Sequence, residues 1–345
     1  MLVCLGTAWI IPACYLSLFK TSCQMNSAMR NWNVLCWNVR GLNSDDKWLA
    51  IRNKIEESGC AVFCLQETKR SSFDHSYIKK FAPKRFDKFA FSPSVGASGG
   101  ILVGWNSSVF GGSDIVIERF AVKITFTSNH SGLVLTLVSV YGPCTGPERN
   151  NFLSWLHQLN IPDDDLWLIL GDFNFYRSVT NRNRPGADMN DIFLFNAMIS
   201  DLGLVELPLK GRAFTWSNMQ HSPLLEQLDW FFTSTAWTLT FPHTLVKPLA
   251  RSTLDHTPCI VQIGTDIPKA DIFRFENFWV EHDGFFDLVQ SIWQNHGYEG
   301  NAAKNISVKL KALRKGLKKW SKSLSKLQLL IKNCNAVIAF LDSIE

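Results

Sequence analysis

The run Leu168-Ile169-Leu170-Gly171-Asp172-Phe173-Asn174 does most to limit what this chain can become, because an apolar strand stops at a turn that presents a carboxylate and an amide. Taken alone, Gly-Asp followed by Asn is also ordinary turn chemistry at the end of a buried strand. The pattern recurs, however. Asn38 follows Val34-Leu35-Cys36-Trp37, Glu67 lies just past Ala61 to Leu65, Tyr141 follows Leu133 to Val140, and Asp255-His256 precede Pro258-Cys259-Ile260-Val261. Five strand ends converging on one rim describe an active site.

Between these points the chain alternates irregularly. Asp45 to Ser58 reads as a helix with Trp48, Ile51 and Ile55 on one face. Phe86 to Ser92, Ile101 to Trp105, Ile115 to Thr127 and Leu133 to Val140 read as successive strands of a meander. Pro147 to Leu159 and Asp191 to Leu202 carry helical spacing, and the remainder to Ile263 returns to strands and loops. Ser98-Gly99-Gly100 suits either a hairpin turn or a close approach to a neighbouring strand. Asp163-Asp164-Asp165 reads as a solvated loop, not a metal site.

With 345 residues, 46% of them hydrophobic, the chain can bury a large core: one domain of about 230 residues plus a tail. Its nine cysteines are odd in number and lack zinc-ligand pairing, which fits reduced core thiols in an intracellular protein. The net charge of +5 is unevenly spread. Residues 31–265 hold 21 Lys and Arg against 21 Asp and Glu, whereas 304–332 hold ten Lys or Arg and no acid. The excess positive charge therefore belongs to the tail. There Ile306, Leu310, Leu313, Leu317, Trp320, Leu324, Leu327, Ile331, Cys334, Ile338 and Leu341 alternate by four and three, which predicts one long basic amphipathic helix over 304–341. Such a stripe suits self-association, nucleic-acid contact or packing against a further domain. Gly316 and the single-signed charge weaken it as an isolated coiled coil.

The first 19 residues are uncharged and mostly apolar, but no Lys or Arg precedes them and Pro12 interrupts them. They are read as an extension spanning 1–30, not as a signal peptide or membrane span. A body at 31–265 and a connector at 266–303 complete the expected organisation.

Trp37-Asn38-Val39-Arg40-Gly41-Leu42, Gln66-Glu67-Thr68-Lys69, Tyr141-Gly142-Pro143, Gly171-Asp172-Phe173-Asn174, Leu228-Asp229 and Asp255-His256 occur in the order seen in the endonuclease/exonuclease/phosphatase superfamily. Within it the chain most resembles the endonuclease domain of plant LINE-type non-LTR retrotransposons, through runs such as Arg182-Asn183-Arg184-Pro185-Gly186, Leu207 to Arg212 and Phe214-Thr215-Trp216-Ser217-Asn218. Likeness covers roughly Asn31 to Ile263 and continues weakly through Phe273 to Trp279. The resemblance implies an α/β four-layer sandwich, two mixed β-sheets flanked by helices, here followed by the helical tail. It also implies an Mg²⁺-dependent phosphodiesterase, with Mn²⁺ as a substitute, that nicks DNA in the nucleus and leaves a 3′-hydroxyl.

Phosphodiester hydrolysis needs an activated water, a neutralised phosphate and a stabilised leaving oxygen. By resemblance, Glu67 and Asp255 hold the metal with help from Asp172 and Asn174. Asp172 polarises or deprotonates the water, Asn38 and Asn174 donate to phosphate, and Tyr141 places a phenol there. His256 is the cationic donor, oriented by Asp229. Arg40 and Lys69 add positive potential for the DNA backbone or are simple surface charge.

Two residues depart from the pattern. Leu254 stands where Ser or Thr usually precedes Asp-His, removing a hydroxyl, and Trp230 follows Asp229 where a basic residue is common. No reverse transcriptase fits in the last 80 or so residues, so the sequence reads as a truncated copy. A non-catalytic DNA-binding remnant, or another phosphoesterase of the superfamily, are the alternatives.

Overall fold

A computed structural model describes residues 29–96, 99–251, 254–268, 275, 277–296, 300–324 and 326–344. The apolar amino-terminal run, Ser98, and Phe273, Arg274 and Glu276 of the weaker family likeness lie outside them. The chain divides between residues 269 and 270 into two compact units.

The first unit is built on two six-stranded mixed sheets. One comprises β1 (Met29–Asn38), β2 (Val62–Gln66), β3 (Lys88–Ser92), β4 (Ile101–Trp105) and two late strands, β13 (Leu245–Pro248) and β14 (Cys259–Pro268), in the order β13-β14-β1-β2-β4-β3. The other has β5 (Phe110–Ile117), β6 (Ala121–Ser128), β7 (Val134–Tyr141), β8 (Trp167–Asp172), β9 (Val205–Glu206) and β12 (Asp229–Thr233), in the order β5-β6-β7-β8-β12-β9. A small hairpin pairs β10 (Trp216–Ser217) with β11 (Leu225–Glu226), and β13 and β14 complete the first sheet.

Strict alternation explains the layering. Val34, Cys36, Val62 and Cys64 from one sheet meet Leu135, Leu137, Leu168 and Leu170 from the other. Their neighbours Leu35, Trp37, Phe63 and Leu65 point the opposite way, onto Ile51 and Ile55 of α1 (Asp45–Ser58) and Ile78 and Phe81 of α2 (His75–Phe81). Likewise Val138, Val140 and Ile169 meet Phe152 and Leu156 of α3 (Glu148–His157) and Phe195 and Ile199 of α4 (Met189–Asp201). Strands buried on both faces read as unbroken apolar runs, which is why these stood out in the sequence. The expected four-layer sandwich is thus present. One polar link crosses its centre: buried Gln66 donates to Ser139 Oγ at 3.0 Å. Cys36, Cys60, Cys64 and Cys259 are buried free thiols, held above their ordinary pKa by burial.

Two local expectations are corrected. Ile115 to Thr127 is not one strand; the chain turns between β5 and β6, where the Glu118 N–H donates to Ala121 O at 2.9 Å. Apolar residues flank the turn closely, Ile115 to Ile117 before it and Phe120 to Val122 after it, so only Glu118 and Arg119 mark the break. A short helix, α5 (Thr235–Thr240), was also unforeseen; Ser234 caps it by accepting from the Trp237 N–H.

The second unit holds a 3₁₀ turn (Asn277–Glu281), α6 (Phe285–Asn295), α7 (Ala302–Leu324) and α8 (Lys326–Ile344), with Ser325 outside the described residues. Four of the eleven residues of the expected heptad stripe are used internally: Leu313, Leu317, Trp320 and Leu324 pack with Trp279, Phe285, Leu288 and Val289. Gly316 is a contact point in that packing, since a Cβ there would lie 2.2 Å from Ile292 Cδ1. Ile306, Leu310, Ile331, Ile338 and Leu341 stay exposed. No helix among the described residues is long and apolar enough to cross a membrane.

Candidate active site

Register does the first part of the assembly. Tyr141 on β7 sits opposite Asp172 on β8, and Asp172 opposite Asp229 on β12, so three chemistry-bearing residues share one row. Two glycines allow β7 and β8 to close together at that row. A Cβ on Gly171 (φ +146°) would lie 2.0 Å from Val140 O, and one on Gly142 would lie 2.2 Å from Phe173 O. In the other sheet, β1 and β2 keep pairing beyond their ends: Val39, Gly41 and Leu42 donate to the carbonyls of Gln66, Glu67 and Thr68 at 2.7–3.1 Å. Gly99 and Gly100 settle the question raised by their sequence. Their carbonyls accept from Lys69 and Thr68, and a Cβ on Gly100 would sit 2.4 Å from Thr68 Oγ1, so the glycines bring backbone against the loop carrying Glu67.

Asp255 and His256 are clamped from three sides. The Ser217 N–H donates to Asp255 O, the Thr257 N–H to Thr215 O, and the indole of Trp37 to His256 O. Thr215, fully buried, also accepts the backbone N–H of Leu228 and of Asp229 at 3.1 Å each. One threonine thereby aligns the His256 loop with β12.

The side chains then form a line. Asp229 Oδ2 lies 2.9 Å from His256 Nδ1, which fixes that nitrogen as the protonated donor. His256 Nε2 faces Asp172 Oδ2 at 3.7 Å. The Asn38 amide donates to the same oxygen at 2.8 Å, and the Asn174 N–H donates to Asp172 Oδ1 at 3.1 Å. Asn174 in turn donates its amide to Gly142 O at 2.9 Å. Burial pushes Asp172 up, and although the His256 cation and the Asn38 amide pull it back, it stands at about 7. Burial pulls His256 down, but the Asp229 and Asp172 carboxylates outweigh it and lift the imidazole to about 9. Burial, with Glu67 and Asp172 nearby, pushes the Tyr141 phenol far up, leaving a neutral hydroxyl.

Outside this line, Arg40 pairs with Asp255, and Lys69 Nζ lies 2.9 Å from Glu67 Oε1. Burial alone would raise the Asp255 carboxyl; the His256 and Arg40 cations and the Trp216 indole override it and hold the group below its ordinary value. Asn38, Arg40, Glu67, Tyr141, Asp172, Asn174, Asp255 and His256 all line one cleft of about 590 Å³. Asp229 stands behind His256, outside the lining, and Lys69 reaches the site through Glu67.

Among the described residues no three of His, Cys, Asp or Glu converge as a metal cluster. A small hard cation does not require one, because Mg²⁺ keeps most of its water and takes one or two protein carboxylates. Glu67 and Asp255 meet that need, and Asp255 Oδ1 is buried with no hydrogen-bond partner, an oxygen aimed at nothing in the protein. The donor set fits a divalent ion.

Sequence reasoning passed over several supports. Arg149 lies 3.7 Å over the Phe175 ring, donates to Asn174 O at 2.8 Å and pairs with Asp191 at 2.7 Å, bracing the turn after β8. Lys47 on α1 donates to Arg40 O at 2.6 Å. Neither has a local signal. Thr215 and Trp216 did have one, the run Phe214 to Asn218, but nothing there assigned them a task. The two departures are both core residues. Leu254 is buried with Leu35, Trp37 and Ile260, and Trp230 is buried with its indole donating to Phe175 O at 2.8 Å.

Known proteins share this architecture. The AP endonuclease LMAP from Leishmania major superposes with a TM-score of 0.55 at 17% identity, covering 68% of this chain and 88% of that one. The endonuclease domain of TRAS1, a telomere-specific non-LTR retrotransposon, does so at 0.53 and 15% identity, over 68% and 99%. In sequence, the transposon TX1 uncharacterized 149 kDa protein of Xenopus laevis is 22% identical over 265 residues, 74% of this chain; the aligned part is 20% of that protein's length. Residues 35–266 match the endonuclease/exonuclease/phosphatase family, and the chain belongs to it.

Proposed function

We propose that this protein is a metal-dependent phosphodiesterase that nicks DNA to leave a 3′-hydroxyl, an endonuclease of LINE-retrotransposon type acting in the nucleus, with residues 31–265 as its catalytic body. The observation that carries the reading is the buried line Asp229, His256, Asp172 and Asn38, hydrogen-bonded at its two ends and joined by a 3.7 Å approach of His256 to Asp172, beside Glu67 and Asp255 in one cleft. The sequence likeness to a transposon protein and the shared architecture with a retrotransposon endonuclease domain support the choice of substrate.

Asp172, raised toward neutrality, accepts a proton from water as the water oxygen attacks phosphorus. His256, cationic and held by Asp229, donates to a non-bridging phosphate oxygen where charge builds up. Tyr141 and Asn174 offer neutral donors at the same rim. Breaking the phosphorus–O3′ bond releases the 3′ oxygen, which takes a proton to become the hydroxyl. A divalent ion, Mg²⁺ or Mn²⁺, held by Glu67 and Asp255, would supply Lewis-acid charge to the phosphate.

The test is conversion of supercoiled plasmid to nicked circle with and without Mg²⁺, alongside Asp172→Ala and His256→Ala. Metal-dependent nicking lost in both variants is the expected result. A folded, metal-supplied protein that leaves plasmid intact would instead favour the DNA-binding remnant, and release of phosphate from small esters alone would favour another phosphoesterase. Leu254, the residue that first suggested decay, is buried in the core and gives no support to that alternative.

A further inference from the structure

Among the described residues, six other than glycine have left-handed φ, and four of them surround the cleft: Arg40 (47°), Glu67 (52°), Lys69 (53°) and Asn174 (55°). Such backbone costs free energy and persists where surrounding structure imposes it, often at functional sites. Here it aims two cations at two carboxylates. Arg40 reaches Asp255 Oδ2 and Lys69 reaches Glu67 Oε1. In each pair the cation faces solvent and the carboxylate faces inward: side-chain exposure is 56% for Arg40 against 9% for Asp255, and 30% for Lys69 against 16% for Glu67.

These are the same carboxylates that fit a divalent ion. Lone pairs spent on an ion are weakened toward a guanidinium or ammonium, and three positive centres crowded on two carboxylates repel one another. A long cationic side chain that keeps contact with solvent, as both of these do, leaves its partner at less cost than a buried one. Once displaced, it has a phosphate as its natural new partner.

We propose that Arg40 and Lys69 are exchangeable counter-ions: a divalent ion taking Asp255 and Glu67 displaces them, and the displaced cations then grip the DNA phosphate. This rests on the proposed function and adds a regulation to it. Ion and DNA bind with positive coupling, and each raises the affinity for the other by the same factor. Both residues are positioning residues with two alternative partners.

Two titrations of the full chain test it. Mn²⁺ affinity is measured by calorimetry, and affinity for a short duplex by fluorescence anisotropy, once in EDTA and once in Ca²⁺ with the duplex checked intact on a gel. Arg40→Gln and Lys69→Gln should bind Mn²⁺ several-fold more tightly than wild type. Arg40→Gln should lose about tenfold in duplex affinity in Ca²⁺ yet bind as wild type does in EDTA, while Arg40→Lys keeps most of the coupling. An equal loss in both buffers would mark Arg40 as an ordinary phosphate contact and overturn the exchange, as would unchanged Mn²⁺ affinity in both glutamine variants. Failure of the proposed function reads differently: wild type then leaves plasmid intact in Mg²⁺, whether or not it binds duplex, while the Mn²⁺ titrations still decide whether cations and ion compete.

Discussion

The inner part of the cleft and its outer rim treat charge in opposite ways. Inside, Asn38, Asp172, Asp229 and His256 are at most 4% exposed, and each charged group finds its partner on another strand or loop of the body. On the rim, Glu67 and Asp255 are neutralised by Lys69 and Arg40, flexible side chains that reach in from solvent. Buried charges need fixed, complete pairing because desolvation penalises any lapse, so the inner line is a rigid arrangement. Exposed pairs add little stability and re-pair easily. One site thus combines a part whose geometry must not change with a part free to change partners.

The sharpest way to break this contrast is to empty the inner line. His256→Ala and Asp172→Ala should each lower the nicking rate by about 10³-fold or more, read from plasmid conversion. Asp229→Asn keeps shape but loses the charge that holds the imidazole cationic, and should cost about 10²-fold or more. A rate within a factor of two of wild type would show that His256 does not need its partner.

The inner line also makes a prediction about pH. His256 is raised in the folded protein, from an ordinary 6.5 to about 9. Its stabilising contribution is therefore fully present below pH 6.5 and is lost as pH rises through 9. Asp172, raised to about 7, does most of its titrating below that point. Between pH 7 and 9.5, wild type should lose about 2 kcal/mol relative to His256→Gln in chemical denaturation. Parallel curves for the two proteins would mean the imidazole is neutral throughout.

Smaller effects test the walls. Leu254→Ser should lower stability by about 2 kcal/mol and leave nicking no faster, because the position is core and not an open loop. Faster nicking would restore the missing-hydroxyl reading. At the rim, Lys69→Gln should change stability by less than about 0.5 kcal/mol, as expected of a partly exposed pair. A larger loss would make the rim as structural as the interior.

Much of the architecture was legible. Strands buried on both faces are continuous apolar runs, and α1 begins and ends at the expected Asp45 and Ser58 because Gly59 supplies the left-handed cap. Polar residues at strand ends stood out because they interrupt those runs. The break within Ile115 to Thr127 did not, since only Glu118 and Arg119 separate two apolar stretches there.

The sequence by itself therefore determined most of the strands and helices and the roster of polar side chains, because periodicity and strand ends are local properties of the chain, while the four-layer arrangement was implied by the family resemblance. Apart from Asp229 with His256, which the family resemblance implied, partnership was decided only by the tertiary structure. Asp229 meets His256 across 27 positions, Asn38 meets Asp172 across 134 and Arg40 meets Asp255 across 215. No local rule encodes such contacts. They follow from strand register, from two glycines that let β7 and β8 close, and from Thr215, whose hydroxyl and carbonyl hold β12 and the His256 loop in one place.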